Sequence, residues 1–195
     1  MAAKTSAMRL HRNRVHRGFT LIEVMFSMVV MAVGLLSLLS VFGIAMASTQ
    51  TSQENAIAKQ LADEALESIL TARETATIPW ASIQNTGNGG IFLSGAQPIY
   101  CAGVDGIVGT ADDANCGPMT LTLPGPDGVF GTADDIQLQL TNFSRTIAIT
   151  EATSPPPANS PIPSLNQVTI TVTYTTPQLK IPQNYILSTY VSQFR

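Results

Sequence analysis

Three features of the 195-residue chain predict an α+β fold, a long N-terminal α-helix packed on a small antiparallel β-sheet head. No residue from Val24 to Gln53 is charged, and no proline occurs from Phe19 to Ile78. Beyond Pro79 the composition turns to Gly, Pro, Thr, Ser and Asp with short alternating apolar runs, the mark of strands joined by turns. Charge is also divided along the chain: Lys4, Arg9, Arg12, Arg14 and Arg17 all precede the first acid, Glu23.

Residues 1–18 read as a basic leader. Without them, five of the ten basic side chains face all thirteen acidic ones, a balance of −8. Such a body lacks the cations that nucleic-acid binding needs to displace counterions from phosphate. Both histidines, His11 and His16, lie in the leader, so the rest of the chain has no His for a triad, a general base or a mixed Cys/His zinc site. A serine nucleophile would also lack a G-x-S-x-G turn. No enzyme is expected.

Residues 19–78 form the predicted helix. Its apolar part, Val24 to Ala47, is about 24 residues, enough to cross a hydrocarbon core of about 30 Å. Basic residues crowd its amino side, which puts the leader in the cytoplasm and the body outside. From Ile57 onward the pattern becomes amphipathic: Ile57, Leu61, Ala65 and Ile69 share a face that Ala58, Ala62, Leu66 and Ala72 widen. Residues 79–195 form the expected head. Strands are predicted at 91–93, 98–101, 119–123, 136–140, 145–150, 168–174 and 186–191. The run Val168-Thr169-Ile170-Thr171-Val172-Thr173-Tyr174 alternates strictly, as in a half-buried antiparallel strand. Ser154 to Ser164 holds five prolines in eleven residues and reads as an extended loop.

Two features of the head carry candidate chemistry. Cys101 and Cys116 lie on the exported side, where a disulfide persists; two free thiols are the alternative. The segment from Gly103 to Asp113 recurs 22 residues later, from Gly125 to Asp135, identical at eight of eleven positions. The repeat gathers Asp105, Asp112, Asp113, Asp127, Asp134 and Asp135 with no Lys or Arg between Arg73 and Arg145. Carboxylates so close raise one another's pKa or recruit a cation, and calcium accepts irregular oxygen sites. A solvated acidic loop is the plain alternative.

Processing distinguishes two readings of the apolar run. Ala45-Met46-Ala47 has the form of a signal-peptidase site, but the run exceeds the 7–15 apolar residues of a removed signal. The other reading cuts before the run, within Arg17-Gly18-Phe19-Thr20-Leu21-Ile22-Glu23. That heptapeptide resembles the prepilin signature of type IV pilins and type II secretion pseudopilins. The resemblance implies cleavage between Gly18 and Phe19 by a prepilin peptidase, N-methylation of Phe19, and an assembly role for Glu23 toward other pilin subunits. It also implies residence in the inner membrane with the head in the periplasm, then export into a pilus or a periplasmic pseudopilus. Independently, a carboxylate in an apolar helix faces a partner or a cavity, while Thr20-x-x-Glu23 also fits a local capping box.

Gly34-Leu35-Leu36-Ser37-Leu38-Leu39 and the strand at 168–174 resemble PilV-type minor pilins. The duplicated acidic loop resembles the calcium loop of the major secretion pseudopilin. The expected function is therefore a minor pilin of a type IV pilus, acting in fibre initiation, adhesion or tuning. A secretion pseudopilin and a non-polymerising, membrane-tethered, calcium-dependent adhesin are the rivals.

Overall fold

The computed structural model describes residues 18–156, 158–176 and 180–194. The leader positions Lys4, Arg9, His11, Arg12, Arg14, His16 and Arg17 lie outside the described residues. The chain divides into two compact units, one ending at Met46 and the other running from Ala47 to Arg195. Helix α1 (Leu21–Glu74) contains that boundary.

In the first unit every described residue is exposed, including Phe26, Leu36 and Phe42. A helix apolar on all sides has no stable place in water and matches a lipid or protein surround. Thr20 starts it: its side-chain oxygen accepts the Glu23 N–H at 3.3 Å, and its carbonyl accepts those of Glu23 and Val24.

The second unit is the α+β body, in which the later half of α1 packs on an antiparallel sheet. Ala58, Leu61, Ala62, Ala65, Ile69 and Ala72 are its buried stripe, spaced three and four apart. The alanines admit close approach of the sheet, and Leu61 and Ile69 fill the space between them. At its end, Ala76 takes the left-handed conformation (φ 54°). Thr77 N–H then reaches the Ala72 carbonyl and Ala76 N–H that of Arg73. This is a Schellman close, which ends the helix before Pro79 is reached.

Strands follow as β1 (Gln97–Pro98), β2 (Thr120–Leu123), β3 (Ile136–Gln139), β4 (Phe143–Thr153), β5 (Pro161–Thr175) and β6 (Pro182–Ser192). The main sheet has the order β1-β4-β5-β6, and β2 and β3 form a separate hairpin. Along β5, Val168, Ile170, Val172 and Tyr174 are buried, while the intervening threonines face outward. Phe143 and Tyr174, register partners across β4 and β5, stack with ring centroids 5.5 Å apart. Arg145 occupies a core position on β4, where its guanidinium donates to the Leu61 carbonyl and pairs with Glu64 at 3.3 Å.

Three expectations change, the first being 98–101, which shrinks to β1 and an isolated bridge from Tyr100 to Pro118. Residues 91–93 form no strand; Phe92 makes one isolated bridge to Asn85 and spends its side chain in the core. The proline-rich loop shortens to the link between Thr153 and Pro161, because β5 already begins at Pro161. Ala152 and Thr153 pair with Ile162 and Pro161 past a bulge at Glu151. The β6 ladder starts only at Leu165, so Pro161 and Pro163 sit where one side of β5 is open and proline is tolerated.

Candidate functional site

The first candidate region is the start of α1. Gly18 and Phe19 precede the helix, both exposed, and a Cβ built on Gly18 meets nothing within 4 Å. Glu23 stands in the first turn, where a carboxylate suits the helix dipole. Only the threonine half of the capping box forms: among the described residues nothing bonds the exposed Glu23 carboxylate. That charge remains available to a partner.

The second region is the duplicated loop. In copy one, Asp105 Oδ1 accepts the Ile107 N–H at 2.8 Å and Asp112 Oδ2 that of Asp105 at 3.3 Å. Asp113 Oδ2 accepts the Gly109 N–H at 2.6 Å, and the Thr110 hydroxyl donates to Asp112 Oδ1 at 2.5 Å. Copy two repeats each of these: Val129 N–H to Asp127 at 2.9 Å, Asp127 N–H to Asp134 at 3.5 Å, Gly131 N–H to Asp135 at 2.7 Å, and Thr132 to Asp134 at 2.6 Å. Gly106 and Gly128 share a φ near 70°, and Gly109 and Gly131 lie at 89° and 85°. These values need glycine, which explains why the glycines recur in both copies.

The surroundings differ. Copy one is closed by the Cys101–Cys116 disulfide, and Val108 donates its N–H to Ser68 Oγ on α1 at 3.0 Å. Asp113 is buried, its Oδ1 also accepts the Gly103 N–H, and it lines a small cleft together with Arg145. Copy two spans the turn of the β2–β3 hairpin and is exposed except at the half-buried Gly125 and Asp135. The Thr110 hydroxyl holds Asp112 below the usual carboxylate pKa, and Thr132 does the same for Asp134.

The structure brings Asp105, Asp112 and Asp113 together, with one carboxylate oxygen of each within 4.8 Å of the others. Among the described residues Asp127, Asp134 and Asp135 form no such cluster. The first set consists of hard oxygen donors at a span that suits calcium, with the Asp113 oxygens already holding two backbone N–H groups.

Sequence reasoning missed Ser68, Thr110, Thr132 and Arg145. The threonines carried a signal, since both copies place one three residues before the last aspartate. Ser68 and Arg145 carried none, because only the packed fold brings them to the loop.

A family model for the prokaryotic N-terminal methylation motif matches residues 13–39. No curated protein and no solved structure matches the chain. The matched segment contains Gly18, Phe19 and Glu23 and the first turns of α1. It supports a type IV pilin-like or pseudopilin-like protein, a generally non-enzymatic class, and fits membrane anchoring through the apolar helix.

Proposed function

We propose that the chain is a minor pilin subunit of a type IV pilus. A prepilin peptidase would cut between Gly18 and Phe19 and methylate the new amine. Phe19 to about Ala47 then anchors the subunit in the inner membrane before assembly and in the fibre core afterwards. The observation that carries this reading is the methylation-motif match over residues 13–39, continuous with a helix that is apolar on every side. The Glu23 carboxylate, with no local bond among the described residues, fits a charge pair with the Phe19 ammonium of another pilin subunit. Packing of Leu, Val, Ile and Met supplies the adhesion, and the charge pair sets register.

Calcium belongs to this reading as a ligand of copy one, where Asp105, Asp112 and Asp113 would supply carboxylate oxygens. The duplicated loop favours a second reading, a secretion pseudopilin with the same helix physics. Mass spectrometry of the membrane and fibre forms tests processing: the mature chain should begin at N-methylated Phe19, and a start at Ser48 would sink both readings. Recovery in sheared surface fibres, rather than with a secretion complex, separates the pilus from its rival. Calorimetry of the full chain in detergent should show calcium binding that Asp105→Ala weakens; equal binding by the variant removes copy one as the site.

A further inference from the structure

Copy one fills a seat in its own chain that copy two has nowhere to fill. Ile107 and Val108 are 3% and 1% exposed, whereas their counterparts Val129 and Phe130 are 54% and 66% exposed. The Val108 N–H is taken by Ser68 Oγ, and the Gly109 carbonyl accepts the Leu93 N–H at 2.8 Å. Gly109 lies so close to Ile147 and Phe92 that an added Cβ would clash with Ile147. Asp113 and Arg145 line the same small cleft. In copy two the corresponding Phe130 N–H, Gly131 carbonyl and Asp135 charge meet no such groups among the described residues, and a Cβ on Gly131 meets nothing within 4 Å. Single exposed apolar residues need no explanation. Here, however, an adjacent pair keeps its apolar character at two of the three positions that differ between copies.

We propose that copy two is a docking tip that seats on another subunit of the fibre, as copy one seats on its own α1 and sheet. Copy one serves as the template for that partner. It would present a hydroxyl acceptor on a helix face, a backbone N–H for the Gly131 carbonyl, an apolar floor, and a Lys or Arg for Asp135. A second copy of this chain does not qualify. Its own seat is already filled by copy one, and its exposed cations among the described residues are Lys59 and Lys180 on a strongly acidic body. Charge complementarity therefore assigns a different, basic-rimmed subunit. This inference rests on the fibre-subunit reading.

Thiol accessibility in the full chain tests it. Val129→Cys keeps Phe130 in place, and Val104→Cys, fully exposed in copy one, serves as the control. Passing from the membrane pool to sheared fibres, maleimide modification at position 129 should fall about tenfold or more, the protection a modest burial free energy gives. Position 104 should be unchanged. A photo-crosslinker at position 130 should then join a different subunit, at a segment carrying a hydroxyl and a basic residue. Equal modification of Val129→Cys in both pools overturns the proposal, as does an adduct with a second copy of this chain. If the wild-type chain enters no fibre at all, the pilus reading has failed and the docking tip falls with it. If the wild type enters fibres and position 129 stays open, only the docking tip falls.

Discussion

The two acidic loops share eight of eleven residues and four matching aspartate hydrogen bonds, yet Ile107 and Val108 lie in the core while Val129 and Phe130 lie on the surface. Their conformation is local: aspartates clamp backbone N–H groups two to seven residues away, and glycines supply the positive φ values. Their burial is not local. Copy one follows β1, is stapled by a disulfide, and lies where Ser68, Phe92, Ile147 and Arg145 converge. Copy two joins two short strands, and its Val129 and Phe130 stay exposed among the described residues. Duplicating a segment duplicates its shape; its environment comes from the elements on either side.

The largest expected difference lies in the staple. Replacing Cys101 and Cys116 by alanine should lower stability by about 3 kcal/mol, the chain-entropy value for a loop of this size. Hydrogen exchange should then rise across copy one and stay the same across copy two. Denaturant unfolding followed by the single tryptophan, Trp80, reads the global change. A loss under about 1 kcal/mol would mean that the seat holds copy one without the bridge. Next in size is the apolar pair. Val108→Ser removes two buried methyl groups and adds an unmet hydroxyl, and should cost about 2–3 kcal/mol. Phe130→Ser should stay within about 0.5 kcal/mol in the unassembled protein. Equal costs would abolish the distinction drawn between the two copies.

A smaller contrast comes from the shared glycines. Gly109→Ala and Gly131→Ala both force a Cβ into left-handed backbone, at about 1 kcal/mol each. Only at Gly109 does that Cβ also run into the Ile147 Cδ1 inside a packed core. The overpacking adds about 1–2 kcal/mol more. Thermal unfolding of the two variants should therefore separate them, with Gly131→Ala the milder.

The same division explains what the sequence made legible. The helix, its apolar start and its amphipathic continuation were readable because charge gaps and three-to-four spacing act within a few turns. The alternation of β5 exposed that strand for the same reason. Phe92, by contrast, sits in a run with strand composition, but its side chain is spent in the core and its backbone makes one bridge. Pro161 and Pro163 read as loop residues, since nothing local reveals that β6 stops short of them. At the candidate site the repeat showed both aspartate sets equally. Nothing in either copy revealed that only the first would find Arg145 and Ser68, residues 32 positions after Asp113 and 40 before Val108.

The smallest difference between the copies is electrostatic. Asp112 and Asp134 both lie below the ordinary carboxylate pKa, first through the Thr110 and Thr132 hydroxyls and then through backbone N–H groups. A carboxylate with a depressed folded pKa contributes stability above its unfolded value, about 3.9, and loses it as pH falls through the folded value. Thr110→Val and Thr132→Val should each raise the midpoint of the adjacent aspartate, read by NMR titration of the carboxylate carbons. The Thr110→Val shift should be the larger although the hydroxyl–carboxylate distances match at 2.5 and 2.6 Å, because Asp112 is half-buried and solvent screens Asp134. Their consequences for stability should part. Wild type should exceed Thr110→Val near neutral pH, and the gap should narrow as pH drops below the unfolded aspartate value, since protonation removes what the hydroxyl favoured. Thr132→Val should show a much weaker pH-dependent gap, because solvent screens the exposed Asp134. A gap of the same size in both would show that copy two is clamped as firmly as copy one, and that exposure alone does not divide them.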